Sequence, residues 1–527
     1  MCLDLILILR GQCYGLHRSI VVLIKNQATL LLFYNQVRTG HFIQAVRLTL
    51  REHILLLYKS TVLTLNMIPS RFHFQHLFIA LSALVLASAC KNENKDKILD
   101  DKKTPNFLVI IADDAGWNDF SFHGSEIQTP NLDQLAGKGL TLDRFYTYPT
   151  CSPARASLLT GRPASRMGIV APISGRSELN LPDSITTLPQ ALSKLNYKTA
   201  LMGKWHLGLK PESGPEVYGF DFSYGFLHGQ LDQYAHTYKN GDSTWYRNGK
   251  FISEKGHVTD LLTQSAVHYI DTLQTDQNFY LQVAYSAPHI PLQEPQEWLE
   301  KYTSIKDSSR RAYAAAMTHM DAGIGEILQK LKDKDLEKNT VVLFVSDNGA
   351  QEKWVPNTQY DGKYGPNYSL GSNLPLRDFK TSNYEGALRV PAIISWPENL
   401  NSGTSTNYIN VTDWMPTFLN WANAEELPST VEGVNAQHLL KTASVAREKP
   451  IYTRGHLQES IILKPFKLIR TRHLKDPPEF ELYNIEVDPS EENNIASENQ
   501  AEVAELTAYL NQEFSKDTPE VNVGLKN

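Results

Sequence analysis

Sulfur is scarce in this chain. Its 527 residues hold four cysteines, Cys2, Cys13, Cys90 and Cys151, and three of these fall in the first 90 positions. Cys151 has no partner in the body of the protein, which excludes a disulfide framework there. An excess of one charge sign is also missing. The net charge is −6 with 20% charged residues, and no basic stripe or RNA-binding motif occurs, so no nucleic acid partner is expected. Anionic small groups remain open to a local cluster of Lys, Arg and His. Long apolar runs are absent as well. Leu77–Leu86 is too short to span a bilayer comfortably. What is present is ordinary globular composition, 42% hydrophobic and 10% aromatic, with room for two or three domains.

That short run sits in "MIPSRFHFQHLFIALSALVLASAC", residues 67–90. Arg71 makes a basic start, the apolar stretch follows, and Ala87-Ser88-Ala89 suits cleavage. The pattern is a secretory signal over 67–89. Cys90 after "LASA" resembles a bacterial lipoprotein box, and a lipid on Cys90 is the one membrane attachment expected. The expected location is an exported bacterial envelope, periplasmic or tethered to the outer membrane. Residues 1–66 show no coherent period or cap and are expected to have no fold. They read as an over-extended translation start ahead of Met67. Residues 90–104, rich in Lys and Asp, read as a flexible linker.

From Pro105 the chain alternates apolar runs with helical patterns. Phe107–Ile111 ends in Asp113-Asp114. Thr199–Met202 leads to Lys204 and His206. Phe279–Tyr285 leads to His289, and Val341–Val345 ends in Asp347-Asn348. Helical segments at Leu188–Leu195 and Ala312–Leu331 lie between them. Buried strands alternating with helices predict an α/β fold, a mainly parallel sheet sandwiched by helices. Ligands bind outside the carboxyl ends of such strands. Asp113, Asp114, Asp347 and Asn348 are hard oxygen donors suited to Ca²⁺ or Mg²⁺. Lys204, His206 and His289 add charge and proton-transfer groups. Singly, each has a plainer reading as a turn, a cap or a structural histidine. Four strands ending this way are a much less probable accident.

"TCSPARASLLTGR", Thr150–Arg162, places Cys151 two residues before a proline. Pro153 is suited to open a helix. Cys151 then lies at or just before its N-terminus, with Arg155 one turn on and on the same face. By itself Cys151 reads as a small buried hydrophobe, with a thiolate nucleophile as the second reading.

The stretch resembles the signature of the type I sulfatases, C-x-P-x-R followed by T-G. Cys151, Pro153, Arg155, Thr160, Gly161 and Arg162 all stand in the pattern. "DDAGWND", "GKWHLG", "APHIP", "SDNGA", "NYEGALRVPAIISWP" and "LYNIEVDPSEENNIA" follow the family's order. "GFDFSYGFLHGQLDQYAHTY" is similar to the arylsulfatase B branch. The resemblance implies an alkaline-phosphatase-like fold and a Cys151 oxidised by a maturating enzyme to formylglycine, an aldehyde. Its hydrate, held on Ca²⁺ or Mg²⁺ by Asp113, Asp114, Asp347, Asn348 and residue 151 itself, attacks sulfur. His289 protonates the leaving oxygen with Lys380 close by, His206 deprotonates the second hydroxyl, and Arg155 and Lys204 stabilise charge. Lys380 aligns with the family's second lysine, although "LPLRDFKTSNYEGALR" lacks the usual glycine-rich setting. Gln351–Pro375 reads as a substrate-facing loop.

The expected substrate is a sulfated polysaccharide or its oligosaccharides, such as ulvan, carrageenan or a glycosaminoglycan. Two alternatives stay open: a formylglycine-dependent phosphonate or phosphate ester hydrolase, and a non-catalytic glycan-binding lipoprotein. A zinc phosphatase is disfavoured, because the strand ends offer oxygens rather than paired histidines. The catalytic domain is expected over 105–424. A small C-terminal α+β domain with an antiparallel sheet is expected over 425–527, with "IILKPFKLIRTR" as one amphipathic strand and "EVAELTAYLNQEF" as a helix.

Overall fold

The computed structural model describes residues 104–519 except 275, 442–446 and 473–474, together with three strands among residues 5–31. Residues 1–101 and 102–527 form two compact units. In the first, Leu5–Leu9 pairs antiparallel with Ile20–Lys25, which pairs with Thr29–Leu31. A stretch expected to lack fold thus carries a small sheet. Its apolar runs "LILIL" and "IVVLIK" have the composition that fills a pleated surface. The signal sequence, Cys90 and the linker up to residue 103 lie outside the described residues. No helix of the described residues is long and apolar enough to cross a membrane.

The second unit is built on a ten-stranded sheet. Its five central strands are parallel and run, side by side, Phe222–Phe226, Lys198–Lys204, Phe279–Ala284, Asn106–Ala112 and Thr340–Ser346. Beyond Thr340–Ser346 lie Ala392–Ser395, Leu140–Leu142 and Gly403–Ser405; beyond Phe222–Phe226 lie Trp245–Arg247 and Lys250–Phe251. The period of two decides which residue serves which face. Phe107, Val109 and Ile111 pack in one core with helices Cys151–Thr160, Leu188–Ser193 and Trp414–Trp421. Leu108 and Ile110 pack in another with helices Pro130–Lys138, Val258–Thr272 and Ser308–Asp333. Both faces are covered, and all seven residues of Asn106–Ala112 are buried, as a parallel strand requires.

A four-stranded antiparallel sheet comes next in the chain, Ile451–Arg454, Gln458–Leu463, Phe466–Thr471 and Glu479–Asn484 in that order. "IILKPFKLIRTR" is therefore not one strand. It reverses at Lys464-Pro465, since proline has no N–H for a ladder, and Leu463 pairs with Phe466. Ile461, Leu468 and Leu482 face Leu506 and Leu510 of helix Gln500–Phe514. Ile462, Ile469 and Tyr483 face the other way, toward Tyr146 and Leu388. Leu439 and Leu440, after position 425, pack with the core of the large sheet.

Candidate active site

Four adjacent strands deliver the site. Their carboxyl ends lie in register: Ala112 pairs with Ser346, and Ala284 with both Ile111 and Gly203. Backbone hydrogen bonds fix the residues just past those ends. Asp113 N donates to Ala287 O at 3.0 Å and Asp347 N to Ala112 O at 3.1 Å. Asp113, Asp114, Lys204, Asp347, Asn348, Arg155, His206 and Cys151 are all at most 4% exposed, and His289 is 9% exposed.

The charges are arranged in pairs. Lys204 Nζ meets Asp113 Oδ2 at 2.6 Å. Lys380 Nζ donates to both oxygens of Asp114 at 2.7 Å. Arg155 clamps Asp347 Oδ2 through Nε at 3.0 Å and Nη2 at 2.7 Å, and its Nη1 donates to Lys204 O at 3.1 Å. Three cations thus hold three buried carboxylates. Lys380, the residue whose sequence setting departs most from the family's, is placed in the cluster with the rest.

The pairing leaves atoms over. Asp113 Oδ1, Asn348 Oδ1 and His206 Nδ1 are buried and make no hydrogen bond. Each such atom costs about 1–3 kcal/mol, a large share of a typical stability of about 5–15 kcal/mol. Fold stability does not explain them; their convergence at the strand ends suits a ligand. Burial and the neighbouring Asp347 and Asp114 push Asp113 up to about 7, against the pull of Lys204 and Arg155. Asp114 moves the other way, because Lys380 and His289 outweigh its burial. Asn348 Nδ2 donates to Asp114 Oδ1 at 2.7 Å, and Asp114 N to Asp347 Oδ1 at 3.3 Å. His289 Nε2 lies 3.6 Å from Asp114 Oδ2. Spare carboxylate and amide oxygens converging here are the donor set of a hard divalent cation; the residues fit one.

Cys151 is the first residue of a ten-residue helix whose every residue is buried. The helix starts two residues earlier than Pro153 suggests, and Pro153 occupies its third position. Its missing N–H is still among the orphan donors of a first turn. The thiol is free. Burial raises its pKa despite Lys204 and Lys380, so the thiolate reading loses its physical basis.

The two histidines are set by carbonyls. His206 Nε2 lies 2.9 Å from Ile173 O, which makes Nε2 the donor and leaves Nδ1 with its lone pair. Burial, Lys204 and Arg155 keep this ring neutral. His289 Nδ1 donates to Ile290 O at 2.6 Å, and burial lowers its pKa to about 3.

Several supports carry no signal in a single sequence. Ser152 Oγ donates to His206 O at 2.9 Å and accepts from Ile173 N at 3.0 Å. Gly229 backs the His206 ring, where a Cβ would stand 2.5 Å from Cε1. Ser346 Oγ accepts from Ala115 N and donates to Asn348 O. The Gln351–Pro375 segment is largely irregular, with one isolated bridge between Trp354 and Asn367.

A second gathering, His257, Asp260 and His319, also brings ligand-type atoms within 4.8 Å of one another. Its chemistry differs. His319 donates to Glu294 Oε2 at 2.7 Å and to Asp260 Oδ1 at 3.0 Å. His257 Nδ1 accepts from Thr259 N at 3.2 Å, so its Nε2 carries the proton, 3.6 Å from Glu294 Oε1. Trp298 stacks on His319 at 4.7 Å. His319 is a hydrogen-bonded clamp between helices; His257 Nε2 is buried without a hydrogen bond, but it carries a proton and faces Glu294, so it offers an ion no lone pair.

The sulfatase family model matches residues 105–424, and the model of the C-terminal part of N-sulphoglucosamine sulphohydrolase matches residues 378–518. The chain is 34% identical to arylsulfatase J of Mus musculus over 337 residues, 61% of this chain and 53% of the relative, so it spans about half that relative's length. It is 31% identical to N-acetylgalactosamine-6-sulfatase of Mus musculus over 419 residues, 75% of each. A crystal structure of Ps i-CgsB in complex with k-i-k-neocarrahexaose superposes with a TM-score of 0.70 at 28% identity, over 79% of this chain and 94% of that one. The chain belongs to the sulfatase family, hydrolases of sulfuric esters that use a formylglycine and a divalent metal.

Proposed function

We propose that the protein removes sulfate esters from a sulfated polysaccharide or its oligosaccharides. The observation that carries this reading is the set of spare oxygens, Asp113 Oδ1 and Asn348 Oδ1, among three carboxylates at the ends of adjacent strands. Similar proteins, one crystallised in complex with a neocarrahexaose and one an N-acetylgalactosamine-6-sulfatase, support a glycan.

Asp113, Asp114, Asp347 and Asn348 would hold calcium, or magnesium, with residue 151. Oxidised to formylglycine, residue 151 supplies a hydrated aldehyde as nucleophile, and the ion supplies Lewis-acid charge. The chain's own residues do the rest. Arg155 and Lys204 are locked on Asp347 and Asp113, so their charge meets the sulfuryl oxygens without reorganisation. His206 accepts a proton at Nδ1, the atom its carbonyl partner leaves free. Lys380 brings a standing positive charge to the leaving oxygen. His289 delivers the leaving-group proton from Nε2, once the anionic ester offsets the burial that keeps the free ring neutral. Export by residues 67–89, with the product free in the periplasm or lipid-tethered at Cys90, suits an enzyme of large external glycans.

Mass spectrometry of the peptide containing residue 151, from protein matured in its own host, tests the reading together with turnover. An aldehyde at 151 and cleavage of aryl sulfate ahead of aryl phosphonate are expected. An intact thiol in active protein, or preference for the phosphonate, would sink it.

A further inference from the structure

Lys380 is carried by a loop with no regular structure before Glu385. The loop closes on itself where Gly386 N donates to Arg377 O at 2.8 Å. The approach is tight: a Cβ on Gly386 would stand 2.3 Å from Asp378 O and 2.5 Å from Arg377 O. The middle of the loop is also tied at its own backbone, Lys380 N donating to Ala350 O at 3.0 Å and Thr381 N to Pro149 O at 2.8 Å, which leaves its two ends to be held. One residue of the C-terminal region grips both ends. Glu491 O accepts from Arg377 Nη1 at 2.9 Å, and Glu491 Oε2 accepts from Glu385 N at 2.6 Å.

Glu491 bears strain to do this. Its φ of 52° is left-handed, which costs a non-glycine residue on the order of 1–3 kcal/mol. Its side chain is fully buried and pairs with Lys467 Nζ at 2.9 Å; Lys467 also pairs with Glu385 Oε1 at 3.0 Å, and all three side chains are 0% exposed. Tyr146 Oη donates to Glu385 Oε2 at 3.0 Å. A buried charge trio is dearer than apolar packing of the same volume, so cohesion alone does not account for it. The same sheet holds the middle of the loop: Asn383 N donates to Gln458 Oε1 at 2.8 Å and its Nδ2 to Ser460 Oγ at 2.9 Å.

We propose that Glu491 and Lys467 are positioning residues for Lys380, the C-terminal sheet acting as a splint that sets the amine over Asp114. The inference rests on the sulfatase reading only for its kinetic consequence. The placement of the amine can be read without turnover.

Lys467→Met strands two buried carboxylates and endangers the fold, so Glu491→Gln, which keeps the shape, carries the test beside it. The first readout is acylation of lysine amines in the folded variants, resolved by mass spectrometry. Lys380 labelling is expected to rise about fivefold while buried Lys204 stays unchanged. The second is turnover of two aryl sulfates, one with a good and one with a poor leaving group. Glu491→Gln is expected to slow the poor one about tenfold and the good one less than about threefold, the pattern also expected for Lys380→Ala. Unchanged Lys380 labelling in a cooperatively folded variant, or equal slowing of both esters, would overturn the proposal. Wild-type protein inactive on both esters, with Lys380 labelling still responding, would uphold the splint and sink the sulfatase reading.

Discussion

Two clusters of acids and histidines lie in this protein, and they behave in opposite ways. At Asp113 and His289 burial wins: His289 falls to about 3, Asp113 rises to about 7, only Asp114 of the three is pulled down by its cations, and oxygens are left without partners. At His319 hydrogen bonds win: it rises to about 9, held by two carboxylates, while burial lowers its neighbour His257. Residue types are nearly the same. What separates them is satisfaction. His319 is spent on two carboxylates, and His257 Nε2, left without a hydrogen bond, carries a proton, whereas the strand-end cluster leaves acceptor atoms over. Proximity of ligand-type atoms is therefore a poor guide to a metal centre, and leftover lone pairs are a better one.

The contrast can be broken at either cluster. Cys151→Ala should abolish turnover, by about 10⁴-fold or more, while the melting curve stays cooperative; surviving turnover would defeat the formylglycine mechanism. Asp113→Asn should cost on the order of 10³-fold in kcat, and calcium or magnesium should restore chelated wild-type enzyme but not this variant. Gly229→Ala should push the His206 ring, lower kcat about tenfold and cost about 1–3 kcal/mol of stability, as crowding a buried site does. His319→Gln should leave kcat of the folded enzyme unaltered and lower stability by roughly 3 kcal/mol at pH 6. The sign comes from the raised pKa. Protonated His319 contributes fully below its unfolded value near 6.5, and that contribution is lost as pH rises through about 9. Denaturant melts at pH 6 and 9.5 should show the gap between variant and parent closing. A gap that widens with pH would mean the clamp is not ionic.

Much of the strand-end cluster is legible in the sequence because apolar strands stop where polar residues begin. Asp113, Asp114, Lys204, Asp347 and Asn348 each come after a run of buried residues, and a parallel sheet gathers such ends. Lys380 is legible only through the family pattern, since nothing local marks it. Gly229, Ser152 and Glu491 are not legible, because each acts on a residue remote in sequence or through its backbone. The reversal at Lys464-Pro465 escapes a reading by periodicity because both halves alternate; the proline is the clue. The small sheet at Leu5–Leu31 shows the converse: poor periodicity is not absence of structure.

Cys151 opens a helix with all ten residues buried, and its side chain is 2% exposed. Under the proposed formylglycine mechanism, this imposes an order of events. Another enzyme cannot grip "CSPAR" once the helix is packed under the sheet, so oxidation has to reach the chain while it is still extended. Folding then competes with maturation, and whichever comes first is final. On that mechanism, a molecule that folds before oxidation keeps its thiol and is silent, and specific activity becomes a record of timing as well as of sequence.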